Sequence, residues 1–210
     1  MSSGFRLNEI LRESGQEPLD TQTVGQFELY VSLILRWNTR INLTAVKTED
    51  GILSKHLAES IACANALPGG IATLLDFGSG AGLPGIPIAL CRPEIAVTLA
   101  ESRGKKAAFL QEVIRTLGIK TKVHAGRAET LQNKFDCVVM RAVDKMQEAV
   151  AAGAQLVAPR GWLALMTTNA DADGLRAAAG PGHLSWRESI RLPIGDDRIL
   201  ALGQRTSSSA

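Results

Sequence analysis

The chain has 210 residues, 45% of them apolar and 21% charged, with 23 basic residues against 21 acidic and a formal net charge of +2. That is the composition of one globular domain, or one domain with a small extension, and it excludes wholesale disorder and a coiled coil. The near-neutral average neither demands a nucleic-acid partner nor excludes one, because it is blind to where the charges sit.

Through about residue 70 the pattern is helical. Phe27, Tyr30, Val31, Ile34, Leu35 and Asn38 recur at helical spacing, with Asp20 or Thr21 as the N-cap. A second helix is predicted over 50–65, with Ile52, Leu53, His56, Leu57, Ser60 and Ile61 on one side, and PGG at 68–70 ends it. From Ala72 the period changes. Residues 73–77 are a short apolar run stopped by glycine, the signature of a buried strand. There follow a helix over 86–91, a strand over 95–101, a helix over 105–117 stopped at Gly118, and strands over 121–124 and 135–141. A helix over 145–156 and a strand over 161–166 complete the alternation. It predicts an α/β fold with a mostly parallel, Rossmann-like sheet covered on both faces. Residues 184–192 and 198–204 have no helix between them and predict an antiparallel C-terminal hairpin joined through 193–197. The chain thus divides into a helical N-terminal extension (1–70), a ligand-binding core (71–205) and a Ser-rich, disordered tail (206–210).

No apolar run reaches the 18 or so residues that span a bilayer, and MSSGFR at the start is not a secretory leader. Cys63, Cys91 and Cys137 are odd in number and form no CxxC pair. They predict reduced, buried thiols in a cytoplasmic protein, with neither a disulfide framework nor a metal site. The NLT sequon at 42–44 would matter only in a secreted protein and is set aside.

The densest local signal is DFGSGAGLPG at 76–85. Glycines packed so closely after a strand let the backbone turn sharply and approach a ligand. Gly80, Gly82 and Gly85 match the dinucleotide fingerprint, with Glu101 about the expected distance on. A nicotinamide-dependent oxidoreductase is therefore one reading. Pro84 and Pro87, however, remove N–H donors that a pyrophosphate needs, and Asp76 would repel it. S-adenosylmethionine (SAM) has no phosphate. Its ammonium suits an aspartate at the strand tip, and its ribose diol suits Glu101 at the end of the second strand. Ala128 and Glu129, in the loop after the third strand, are placed to read adenine. The plain alternative for Glu129 is a carboxylate complementing a helix N-terminus. Arg141, at the tip of the fourth strand, is a candidate to hold the substrate; a structural salt bridge is its plain alternative.

At these residues the sequence resembles the ribosomal RNA small subunit methyltransferase G family, also called glucose-inhibited division protein B. The matching blocks are WN at 37–38, NLT at 42–44, KHLAES at 55–60, DFGSGAGLPGIP at 76–87 and ESRGKK at 101–106. Phe109 and Leu110, GRAE at 126–129 and RA at 141–142 complete the set, over nearly the whole chain. The resemblance implies a class I SAM-dependent methyltransferase core with a helical N-terminal extension. It implies methylation of guanine N7 in the 530 loop of 16S rRNA, with S-adenosylhomocysteine as product. It also implies cofactor contacts from Gly78, Leu83, Ala128, Glu129 and Arg141, and the ribose on Glu101. Two positions depart from the family pattern. Met166 stands where a lysine is usual, and Glu59 where an aspartate is usual.

Guanine N7 carries a lone pair and no proton, so its methylation needs no general base, and the sequence offers no evident nucleophile–base pair. Asn42 and His56 are candidates, with Arg141, for positioning the guanine; a helix C-cap and a packed histidine are the plain alternatives. Arg103, Lys105, Lys106 and Arg127 flank the glycine loop and are candidates for RNA phosphates, a solvated helix face being the alternative. The expected partner is 16S rRNA or the small ribosomal subunit, and the expected state a monomer. A non-catalytic RNA-binding assembly factor remains a third reading, against which the intact loop and Glu101 argue.

Overall fold

The structure, a computed structural model, describes residues 2–180, 184–193, 195 and 197–206. The expected tail lies outside the described residues from 207 onward, as do residues 194 and 196 of the expected hairpin connection.

Helices come first. α1 (Ser3–Glu13) is capped by Ser2, whose hydroxyl accepts from the Phe5 N–H. α2 (Thr21–Asn38) is capped by Asp20, which accepts from the N–H groups of Gln22 and Thr23. The helix predicted over 50–65 forms, but not uniformly. α3 (Glu49–Ile52) and α4 (Glu59–Ala66) are joined by a π-helical turn, Leu53–Ala58.

The sheet is built from β1 (Thr73–Phe77), β2 (Ala96–Ala100), β3 (Lys122–His124), β4 (Phe135–Arg141) and β5 (Val157–Thr168). All five are parallel. Between them lie α5 (Gly85–Cys91), α6 (Gly104–Leu117) and α7 (Met146–Leu156). Gly118 ends α6 at φ +63°, the left-handed cap that a glycine supplies without strain. After β5 comes α8 (Asn169–Ala178), then β6 (Leu184–Trp186), β7 (Ile190–Arg191) and β8 (Arg198–Arg205).

The spatial order is β3-β2-β1-β4-β5-β8-β6, with β7 also on β8. Residues 184–192 are therefore not one strand of a simple hairpin. β8 inserts antiparallel between β5 and β6, and two short strands share its outer edge. β5 also begins earlier than predicted, and α8 is an element the sequence pattern does not announce.

Both faces of the sheet are covered, so its central strands are largely apolar; Cys137, Val138, Val139 and Met140 of β4 are all fully buried. On one face Leu74, Leu99, Val139 and Leu200 pack with Leu7, Phe27, Tyr30 and Ile61 of the extension. On the other, Leu75, Val138 and Leu163 pack with Val150 and Leu175 of α7 and α8. Strand order reverses at β1, between β2 and β4, and a cleft opens at the carboxyl ends of these strands.

Candidate active site

The cleft has a volume of about 530 Å³. Its floor is the loop after β1. The N–H groups of Gly78 and Ser79 donate to the carbonyl of Ala100 at 3.0 and 2.9 Å, stitching the loop to the tip of β2. Glu101 follows, 6% exposed. Its Oε2 accepts from the Gly80 N–H at 2.9 Å and its Oε1 from the Arg103 N–H at 2.7 Å. Two backbone donors hold the carboxylate rigidly in the cleft wall, and each oxygen keeps a lone pair for a further donor.

Two glycines show why the loop has this composition. Gly80 has φ +57°, and a Cβ there would meet nothing closer than the Gly78 carbonyl at 3.9 Å. The constraint at Gly80 is conformational, and the backbone is left bare toward the cleft. At Gly85 a Cβ would overlap Leu99 Cδ2 at 2.3 Å and Asp76 Oδ2 at 2.5 Å. Close approach of α5 to the sheet therefore requires glycine.

Asp76 is not in the cleft wall. It lies beneath the loop, 1% exposed, with Oδ2 accepting from the Gly85 N–H at 3.1 Å. Its Oδ1 has no hydrogen-bond partner among the described residues. Burial pushes this carboxyl up to about 7, against the pull of Ser79 and the Gly85 N–H. Gly82 is also behind the lining; a Cβ there would strike Ile86, Leu110 and the Tyr30 hydroxyl. Tyr30, from α2, donates to the Ala81 carbonyl at 2.5 Å, so the helical extension buttresses the loop from behind.

The amides at the start of α5 are already committed. Gly85 donates to Asp76, Ile86 to the Gly82 carbonyl and Ile88 to the Pro84 carbonyl, while Pro87 has no N–H. A pyrophosphate would find no free donor there, which disfavours a dinucleotide. Across the cleft, the N–H groups of Ala128 and Glu129 have no acceptor among the described residues. The Glu129 carboxylate pairs with Arg127 at 2.8 Å. A bare glycine loop, a fixed carboxylate at β2 and free N–H donors at the β3 loop fit SAM, with its diol, its adenine and no phosphate.

The far side is closed by the extension. Arg141, at the end of β4, reaches into the π-turn. It donates to the carbonyl of Lys55 at 2.7 Å, to that of His56 at 3.3 Å and to Glu59 Oε2 at 2.7 Å. The guanidinium thus caps two carbonyls of the π-turn, and that of His56 also accepts from the Ser60 hydroxyl at 2.6 Å. Burial pushes the Glu59 carboxyl up, opposed by Arg141 and Arg198. His56 Nδ1 lies 3.1 Å from Arg141 Nη2, and Nε2 lies 2.7 Å from Thr44 Oγ1. Burial first, then Arg141, push His56 down to about 4, so the imidazole is neutral at physiological pH.

Of the predicted site residues, Gly78, Gly80, Leu83, Glu101, Ala128, Glu129, Arg141 and His56 line one cleft, together with Arg103, Lys106 and Arg127. Asp76, Gly82, Asn42 and Lys105 do not. Asn42 is exposed and its side chain makes no hydrogen bond among the described residues. Its neighbours line the cleft in its place. Asn38 binds the backbone of Leu43, Thr44 and Val46, and this presents Leu43 and Thr44 to the cleft. Arg141 is in the wall but is spent on the salt bridge that was its plain alternative. Sequence reasoning missed Thr44 and Val143–Lys145 of the wall, and the ion pair of Glu59 with Arg198. The NLT block was the available signal for Thr44.

The model of the family described as rRNA small subunit methyltransferase G matches residues 23–184. The chain belongs to this family. A family protein from Xanthomonas oryzae pv. oryzae, named ribosomal RNA small subunit methyltransferase G, is 39% identical over 153 residues, 71% of each chain. Solved structures place the fold among the class I SAM-dependent methyltransferases. A mitomycin 7-O-methyltransferase superimposes with TM-score 0.62 at 17% identity, covering 75% of this chain and 55% of that one. A ribosomal protein L11 methylase from Lactobacillus delbrueckii subsp. bulgaricus superimposes with TM-score 0.58 at 12% identity, covering 70% and 77%. The family match spans the loop, Glu101, the β3 loop and Arg141, so all the walls of the cleft fall within it. Among the described residues no helix is long and apolar enough to cross a membrane.

Proposed function

We propose that the chain is a SAM-dependent methyltransferase acting on guanine N7 in the 530 loop of 16S rRNA, in the cytoplasm and as a monomer. Family membership supports the substrate class. The observation that supports the chemistry is the cleft itself: a carboxylate, Glu101, fixed at the end of β2 with a lone pair left on each oxygen. When bound, the cofactor supplies an electrophilic methyl group on a sulfonium.

The residues have six tasks in this reading. Glu101 holds the ribose diol with lone pairs that the Gly80 and Arg103 N–H groups leave free. The N–H groups at Ala128 and Glu129 read adenine. Gly78, Gly80 and Leu83 shape the floor. Asp76 braces the loop from below by holding Gly85. His56 is neutral, engaged at both ring nitrogens, and positions the Thr44 loop against the π-turn. A lone pair at N7 needs no base, so the residues work by alignment, which supplies up to roughly 7–11 kcal/mol in favourable cases. Asp144 and Glu148 at the cleft mouth face the positive charge that the methylated base acquires.

The test is a transfer assay with labelled SAM and small-subunit rRNA that lacks the modification, followed by chemical cleavage at 7-methylguanosine. A single break in the 530 loop is expected. Label elsewhere overturns the position and keeps the enzyme class. Calorimetric binding of NAD without binding of SAM overturns the class, and binding of SAM-free RNA with no transfer points to an assembly factor.

A further inference from the structure

At the carboxyl ends of β4 and β5, with α7 and α8 above, lies a second cleft of about 560 Å³. It is continuous with the first, since Ala142, Lys145 and Glu148 belong to both walls. None of the tasks assigned above uses its interior. Three features of that interior stand together.

The first is apolar. Met146 lies partly exposed over a floor made by Met166 and Leu175, which are 1% and 5% exposed. The second is an unspent hydroxyl. Thr167 is only 6% exposed and lines the cleft, yet its side chain has no hydrogen-bond partner among the described residues. That oxygen is not buried: it opens onto the cleft and is free to bond a ligand there. The third is charge. Arg198, the first residue of β8, reaches the same wall. Its Nε stands 3.6 Å from Glu59 Oε1, beyond hydrogen-bond length, and its side chain makes no hydrogen bond among the described residues. Glu59 makes its close contact, 2.7 Å, with Arg141. One carboxylate thus faces two guanidiniums, and the one in the second cleft is left under-neutralised. Of the other acids there, Asp171 keeps its charge in the lining, and only Glu148 has a cation beside it among the described residues. Asp171 accepts from the Thr168 hydroxyl at 2.7 Å at the start of α8, and Glu148 pairs with Lys145 at 3.6 Å.

A cation, a hydrogen-bonding hydroxyl and an apolar floor in one cleft match the three parts of a nucleotide: phosphate, base edge and base face. RNA read by sequence is read as unstacked bases held in this way. We propose that the second cleft receives an unstacked nucleotide of the RNA substrate, with Arg198 on its phosphate, Thr167 on its base edge and Met146 and Met166 against its base face. The inference rests on the rRNA-methyltransferase reading and extends it. The shared wall then sets that nucleotide beside the cofactor cleft, and Arg198 and Thr167 are positioning residues for the transfer.

The test compares the full-length protein with Arg198→Gln, Arg198→Lys and Thr167→Val. SAM affinity is measured by calorimetry, methylation of unmodified 16S rRNA by kcat and KM, and RNA binding across a salt series. For Arg198→Gln the expected results are a KM for RNA raised about tenfold, unchanged SAM affinity and a salt slope shallower by about 0.7, the loss of one single-strand phosphate contact. Arg198→Lys keeps the charge and restores the slope but not the full KM. Thr167→Val lowers kcat/KM for RNA roughly fivefold, as the loss of one buried hydrogen bond does. Wild-type KM and slope in Arg198→Gln overturn the proposal. So does a parallel fall in SAM affinity, which would mean that Arg198 serves only the Glu59 network. If the wild-type protein neither binds nor methylates rRNA, the underlying reading fails; if it does both and the variants match it, only the second-cleft proposal fails.

Discussion

Burial acts on Asp76 and His56 in opposite senses. Asp76 has its folded pKa raised to about 7, so its contribution to stability is full below about pH 4 and is lost as pH rises through 7. His56 has its folded pKa lowered to about 4, so its contribution is present above about pH 6.5 and is lost as pH falls through 4. Both effects occupy the window from about pH 4 to 7 and partly cancel in the wild-type protein. Asp76→Asn keeps an acceptor for the Gly85 N–H and removes the buried charge. Its stability relative to wild type is expected to be better at pH 8 than at pH 5. His56→Gln is expected to show the reverse. Urea unfolding of each variant at both pH values checks the pair, and a pH-independent difference for either refutes its assigned burial. Glu101 shows a third kind of dependence. In Glu101→Gln an amide NH₂ replaces an oxygen that now accepts from Gly80 or Arg103, so two donors face each other. SAM affinity is expected to fall more than tenfold by calorimetry. Side-chain identity foretold Glu101, because a carboxylate one step beyond a strand after a glycine loop has few other uses. It did not separate Asn42 from Thr44. That choice depends on which way the loop turns, and Asn38 decides it through three backbone partners.

Among the elements, the π-turn Leu53–Ala58 is the least regular and the most connected. Its carbonyls at Lys55 and His56 hold Arg141, and through Arg141 the extension grips the tip of β4. Removing one partner of such a buried ion pair costs about 3–5 kcal/mol, because the other charge is left behind. Arg141→Met is expected to lower stability near the low end of that range, since Arg198 stays within 3.6 Å of Glu59. Hydrogen exchange is expected to speed up first at residues 53–60. Unchanged exchange there would show that the turn stands without Arg141. The extent of this helix was legible from its apolar spacing, but the π-turn was not, because one extra residue per turn shifts the pattern too little to read. β1, β2 and β4 were legible because each is an apolar run between glycines or turns, and β3 from its place in the alternation. α8 was not, since only Ala172 and Leu175 of it are buried and its sequence is otherwise polar. The C-terminal order was hidden for a topological reason. Alternation along 184–192 marks extended chain, but which edge β8 occupies depends on its pairing with β5, residues away in sequence.

For the molecule as a whole, a net charge of +2 conceals an uneven surface. Arg103, Lys105 and Lys106 make no ion pair among the described residues and stand at the start of α6, beside the cleft. Lys105→Ala with Lys106→Ala is expected to reduce the salt slope of RNA binding by about 1.4, with SAM affinity unchanged. An unchanged slope removes these lysines from the interface. The composition break near residue 70 bears on a different property. Leu7, Phe27, Tyr30, Leu57 and Ile61 of the extension share one apolar core with Leu74, Leu99 and Val139 of the sheet. Tyr30 also bonds the glycine loop, and Arg141 bonds the π-turn. The break in texture is thus a change of secondary structure within one shared apolar core. The full chain is expected to unfold in a single calorimetric transition, with the calorimetric and van't Hoff enthalpies equal. Residues 71–206 alone would expose a sheet face that the extension covers, and are expected to aggregate or to lack near-ultraviolet dichroism. SAM should raise the melting temperature of the full chain as one peak. Two resolved transitions, with only the later one shifted by SAM, would instead make the extension a separate folding unit docked on an independent core.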